Sequence, residues 1–389
     1  MMKTITVKDL GEVITGNTPP RSKPELYGDY TPFIKATDIS ETSKYTYEPE
    51  ECYSEEGYKK YRNSLIPKGA TCVVTIGSVG KKMTMAHCDC FINQAMNAII
   101  PNENYDKEYV YYLLKHNVHK LKMLNSGTAS GRENVSKSAF SNMELLAVQD
   151  IVIQKKIGSI LADFDKLIEN NQKQINLHEE AAQRLYKEWF VDLRFPGYEE
   201  TEIVDGVPSG WERKKLVDIV DVQYGFAFDG SKFNAEGKGT PIIRIRNIPD
   251  GHTNDFTTEE ADEKYIINNG EIVVGMDGEF HINSWAGDNA YLVQRTCCFR
   301  PRKQEMNGWL LWAIYEPIKF YEKTVVGATV AHLGKKHIDE IELLVGPDDL
   351  YIPFKNIFDK RQNLLNQNIV LSEARDRLLP KLMSGEIEV

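Results

Sequence analysis

No stretch of the 389-residue chain approaches the ~18 consecutive apolar residues of a membrane-spanning helix. The amino-terminal MMKTITVKDL carries Lys3, Lys8 and Asp9 where a secretory leader would be apolar. Cysteine is sparse and unpatterned: Cys52, Cys72, Cys88, Cys90, Cys297 and Cys298 include no CxxC pair. Reduced thiols in a cytoplasmic protein are therefore expected, with no metal site. Basic charge is also short, with 47 Lys and Arg against 57 Asp and Glu and a net charge of −10. That balance lacks the basic footprint of a typical nucleic-acid binder. The deficit is local, however. Residues 1–150 hold 18 basic and 18 acidic side chains, whereas 199–346 hold 16 and 25. Any nucleic-acid contact must come from small patches.

Catalytic motifs are missing as well. Thr18-Pro19-Pro20-Arg21 lacks the amide or carboxylate and the aromatic ring of an adenine methyltransferase motif. Gly77-Ser78-Val79-Gly80-Lys81-Lys82 fails as a P-loop, because Thr75 stands at the first glycine position and Lys81 is followed by Lys82 and Met83, with no hydroxyl placed for Mg²⁺. The tripeptides Glu212-Arg213-Lys214 and Glu236-Gly237-Lys238 resemble half of a nuclease metal site without a preceding acid in a strand. There is no HExxH, GxSxG or zinc-deaminase signature. The expectation is a chain that binds rather than catalyses.

What is present is repetition. Shifted by 209 residues, KDLGEVITG (8–16) falls on VDIVDVQYG (217–225) and TPFIKATDI (31–39) on TPIIRIRNI (240–248). A shift of 200 pairs Val73-Val74 with Val273-Val274, Gln94 with Gln294, Pro101 with Pro301 and Gly127 with Gly327. A shift of 198 pairs MELL (143–146) with IELL (341–344). Each copy begins with short β-rich runs and a short helix, a mixed α and β domain.

Each copy then closes with a long helix. Ile357, Arg361, Leu364, Asn368, Leu371, Arg375, Leu378 and Leu382 follow a heptad spacing. Ile153, Ile157, Ile160, Phe164, Leu167 and Asn171 begin the same pattern, which continues through Ile175, His178, Ala182, Leu185 and Trp189 after a stutter. Asn171 and Asn368 either fix register in the seam or point to solvent. The fold expected is α+β: two mixed α/β domains separated by two long helices in an antiparallel coiled coil, with a pseudo-twofold internal repeat. The boundaries expected are 1–150 and 197–347 for the domains, and 151–196 and 348–389 for the helical regions.

Two closing motifs are distinctive: Glu188-Trp189-Phe190-Val191-Asp192-Leu193-Arg194-Phe195-Pro196-Gly197 and Arg377-Leu378-Leu379-Pro380-Lys381-Leu382-Met383-Ser384-Gly385-Glu386-Ile387. With LGEVITGNTP (10–19) they resemble the specificity (S) subunit of type I restriction–modification systems, duplication included. The resemblance implies two target-recognition domains, each reading half of a bipartite, asymmetric site in double-stranded DNA. It implies helices that space the domains and dock methyltransferase (M) subunits, two of them, with restriction (R) subunits in the full complex. S-adenosylmethionine, ATP and Mg would then sit on partner subunits and no cofactor in this chain. The alternative is a two-headed coiled-coil adaptor that binds proteins.

The DNA-reading candidates follow from chemistry: polar or basic side chains in glycine-rich loops, where backbone and side chain can both approach the duplex. In the first copy they are Thr75, Ser78, Lys81, Lys82, Ser126, Gly127, Thr128, Arg132, Asn134 and Lys137. In the second the repeat shifts point to Asp277, Glu279, His281, Asn283, Thr329, His332, Lys335 and Lys336. Arg244 and Arg246 are expected two apart on one face of a strand. Trp189, Phe190, Leu378 and Leu379 either finish the intramolecular core or form the surface on which M subunits dock.

Overall fold

The computed structural model describes residues 2–125, 131–324 and 331–389. They form two compact units, one of Met1–Leu167 with Leu371–Val389, the other of Ile168–Val370.

Each unit is built on a four-stranded antiparallel sheet. In the first, β1 (Gly11–Thr15), β2 (Thr71–Val74), β3 (Met83–Met85) and β4 (Met96–Pro101) lie in the order β1-β4-β2-β3. In the second, β5 (Val220–Tyr224), β6 (Ile272–Gly275), β7 (Ile282–Ser284) and β8 (Thr296–Pro301) lie in the order β5-β8-β6-β7. Side chains alternate between two cores, as the strand period requires. Val13, Val73 and Ile99 pack with the helix Lys107–Asn117, while Cys72, Val74 and Ala98 face Ile34 and Ile92 of a second sheet. In the second unit Ile272, Val274 and Phe299 face the helical side, and Val273 and Cys298 the other.

The repeat seen in the sequence is a repeat of topology. Thr31–Ile34 pairs in parallel with Phe91–Ile92, and Thr240–Ile243 with Ala290–Leu292. Met2–Thr6 pairs with Glu144–Val148, and Glu212–Lys215 with Glu342–Val345. Gly16 and Gly225 both donate to β4 or β8, from Gly16 N to Met96 O and from Gly225 N to Thr296 O. A Cβ there would lie 2.1 Å from Asn93 O or 2.0 Å from Val293 O, so the crossing excludes any side chain.

One alignment shifts. Ladder partners place Val73 opposite Asn97 and Val274 opposite Cys297, so Val73 corresponds to Val274 rather than Val273. A slip of one residue exchanges the faces of a strand. The register, not residue identity, sets the correspondence.

Helix α1 (Ile151–Tyr186) starts where Asp150 accepts hydrogen bonds from the Val152 and Ile153 amides, at 2.8 and 3.4 Å. It ends in a single π turn, Lys187–Val191. Helix α2 (Ile352–Ser384) stops before Gly385, whose φ of +76° closes the helix in the left-handed region. In the second unit the two run antiparallel: Glu179 meets Arg361, and Asn171 meets Gln367. In the first unit Arg375 meets Asp165, and Leu379, Leu382 and Met383 join a core with Ile157 and Leu161.

The buried stripe of α1 differs from the heptad reading. Ile157, Leu161 and Asp165 are buried, whereas Ile160 and Leu167 are exposed. A carboxylate takes the inward position because Arg375 and the Tyr112 hydroxyl bind it there. Burial disfavours the Arg375 charge, but Asp376 and Asp165 outweigh it and hold the guanidinium above its ordinary range. Of the two seam asparagines, Asn171 is buried and donates to Gln367, the register-fixing arrangement, and Asn368 is half-buried.

Candidate nucleic-acid interface

Three segments meet at the end of β2 in the first unit. The amides of Thr75 and Ile76 donate to Ala95 O, Val135 N donates to Thr75 O, and Gly77 N donates to Glu133 O. The second unit repeats the arrangement at the end of β6. Met276 N donates to Arg295 O, Leu333 N to Met276 O, and Gly278 N to Ala331 O. Isolated bridges pair Ile76 with Asn134 and Asp277 with His332. Because all these bonds use main-chain atoms, they hold the segments together whatever side chains they carry. Ile76, Ala95 and Asn134 thus correspond to Asp277, Arg295 and His332.

Several sequence candidates lie on this junction and others are committed elsewhere. Ser78, Lys81 and Arg132 are exposed beside it, Lys82 and Asn134 are half-buried, and Lys137 is exposed in the first turn of the short helix Lys137–Ser141. Thr75 is buried, its hydroxyl accepting from Asn97 Nδ2 at 2.8 Å, which excludes it from a DNA surface. Ser126, Gly127, Thr128 and Thr329 lie outside the described residues.

In the second unit Asn283 is also consumed internally. Its Nδ2 donates to Ile248 O and Pro249 O, and its Oδ1 accepts from Arg361. Asp277 is already engaged, with Arg295 bonded to one oxygen and His332 Nδ1 to the other. Burial pushes its carboxyl up, but the hydrogen bonds from His332 and Arg295 outweigh that and hold it below the ordinary range. Glu279 is exposed next to half-buried His281, and Lys335 and Lys336 are exposed on the short helix Lys335–Glu340.

Arg244 and Arg246 do not share a strand. The strand ends at Ile243, Arg244 precedes a 3-10 turn, and Arg246 grips Asp255 with Nε and NH2. The apolar candidates are largely internal too. The π turn swings Phe190 into an aromatic core against Trp211, Trp309, Tyr351 and Phe354. Trp189 stays half-buried, edge-on to Phe354. Leu379 is buried and Leu378 half-buried in the first unit's core.

Arg295 is the exposed residue that sequence reasoning passed over. The signal was available: a shift of 200 sets it against Ala95, directly after the matching pair Gln94 and Gln294. Among the described residues no group of three or more His, Cys, Asp or Glu side chains is placed to hold a metal. No described helix is long and apolar enough to cross a membrane.

Comparison with known proteins matches this duplicated plan. The family model described as "type I restriction modification DNA specificity domain" matches residues 1–179 and 208–349. The MjaIX specificity subunit of Methanocaldococcus jannaschii is 27% identical, with 98% of this chain and 93% of that protein covered. The HindI specificity subunit of Haemophilus influenzae is 34% identical across 42% of this chain and 36% of its own length. In fold, the chain is similar to the crystal structure of a type I restriction–modification S subunit from M. genitalium. The TM-score is 0.56 at 16% identity, covering 98% of this chain and 95% of that one. With the family model matching twice over most of its length, the chain belongs to the type I restriction–modification DNA specificity family.

Proposed function

We propose that this chain is the address-reading subunit of a type I restriction–modification complex, each unit reading one half of a bipartite site in duplex DNA. The observation that carries the reading is the junction built twice from the same main-chain bonds and furnished with different side chains. A shared scaffold with divergent side chains is what two readers of two different half-sites require.

Catalysis then belongs to partners. Methyltransferase subunits would bind S-adenosylmethionine and modify adenine, and restriction subunits would use ATP and Mg. Val152, Ile160 and Leu167 are exposed apolar residues on one side of α1, and they suit docking of a helical partner better than Phe190 or Leu379, which are buried. The partners also answer the charge problem. Neutralising phosphates supplies much of the affinity for DNA, and a chain of net charge −10 contributes little of it alone.

The test is a map of methylated adenines in the native genome before and after deletion of the gene. Loss of one bipartite motif is expected, and an unchanged map would contradict the reading. The two-headed protein adaptor makes the opposite forecast, an unchanged map.

A further inference from the structure

In the second unit the junction carries an Asp–Arg–His triad that the first unit lacks. Asp277 is 13% exposed and lies between Arg295, 67% exposed, and His332, 57% exposed. A carboxylate only accepts, so His332 donates from Nδ1 and leaves Nε2 as its second ring nitrogen. Arg295 gives Asp277 NH1 alone, and its remaining guanidinium nitrogens meet no hydrogen-bond partner among the described residues. Arg246 is the instructive contrast, since both Nε and NH2 are spent on Asp255. Arg295 also sits at φ +67°, a left-handed position that glycine or asparagine would fill at lower cost. The turn therefore holds a cationic side chain at a backbone position that does not favour one, bonded to the half-buried Asp277 carboxylate.

We propose that Arg295, oriented by Asp277, is a base-reading side chain of the second unit and takes the O6 and N7 edge of a guanine in the major groove. The inference rests on the DNA-specificity reading above. Guanine presents two acceptors side by side, and the guanidinium fork matches them with two donors. Asp277 restricts the flexible side chain before DNA arrives, so less conformational freedom is lost on binding. The pair brings little net charge, which suits a contact that specifies sequence rather than one that supplies affinity. Asp277 is thus a positioning residue, and His332 borders the same edge. In the first unit Ile76, Ala95 and Asn134 occupy the corresponding places, so that unit reads its half-site by other means.

The test uses the complex assembled with its methyltransferase subunits. Duplexes with single-base changes across the site are methylated by the wild type and by Arg295→Ala, Arg295→Lys and Asp277→Asn complexes. Arg295→Ala should lose roughly ten- to hundred-fold discrimination at one guanine position of one half-site, with the other half unchanged. Arg295→Lys should recover part of it, and Asp277→Asn should blur the same position to a smaller degree. A merely structural role would lower methylation of every duplex alike, and that pattern overturns the proposal. Undiminished discrimination in Arg295→Ala overturns it as well. If Arg295→Ala fails to assemble, Arg295→Lys and Asp277→Asn decide by the same position-specific readout. A wild-type complex without any bipartite preference would defeat the function itself. A wild-type preference that the variants leave intact defeats only this assignment.

Discussion

The two junctions share a skeleton and differ in the side chains that stand on it. In the first unit Ile76, Ala95 and Asn134 stand on the three segments, and in the second Asp277, Arg295 and His332. The strands beneath them are ordered alike, and Gly16 and Gly225 make the same close crossing. The lesson is a division of labour within each unit. Main-chain bonds and a few steric requirements define the platform, and the side chains above it are free to differ without disturbing the fold.

The helices sharpen the comparison energetically. Arg375 and Asp165 are both buried in the first unit, with side-chain exposures of 6% and 7%, whereas Glu179, the partner of Arg361 in the second, is 32% exposed. Removing one member of a buried pair leaves an unpaired charge, at a cost of about 3–5 kcal/mol. Arg375→Ala should therefore destabilise the first unit by about that amount, and Arg361→Ala the second by less. Urea unfolding followed by hydrogen exchange in each unit measures both, and equal losses would break the contrast.

A smaller effect tests the shared platform. Gly16→Ala and Gly225→Ala each force a methyl group against a carbonyl oxygen, and overpacking of this kind costs about 1–3 kcal/mol. Each variant should weaken its own unit by a similar amount in the same measurement. The smallest effect distinguishes the junctions by pH. Asp277 is held below its ordinary value of 3.8, so its contribution is present above that value and lost as pH falls through the lower folded one. The stability difference between wild type and Asp277→Asn should shrink over that acid range. Ile76, its counterpart, does not titrate. Finally, the chain alone should bind DNA weakly and with little specificity, and tight binding in a filter or anisotropy assay would contradict the role given to the partners.

Much of this was legible in the sequence. The shifts of 209 and 198 each correspond to observed strand pairings, because a repeated strand keeps its ladder partner: Gly11 faces Pro101 as Val220 faces Pro301, and Thr6 faces Glu144 as Lys215 faces Glu342. The valine pairs misled by one residue, since identity carries no information about hydrogen-bond register. The stripe of α1 was misread for a related reason. Asp165 is polar, and nothing local reveals that Arg375, distant in sequence, waits for it in the core. Thr75 and Asn283 were plausible surface residues by type and Phe190 was open to core or surface, yet each is claimed by a partner farther along the chain. The pairing of Asp277 with Arg295 and His332 was hidden in the same way, although the repeat pointed to its neighbourhood.

The central claim is that each unit reads its own half of one site. The most direct measurement maps methylated motifs produced by complexes carrying Arg132→Ala in the first unit or Arg295→Ala in the second. The account predicts that the first variant relaxes or weakens recognition of one half-site and the second relaxes the other. Variants that each alter both halves together would contradict it.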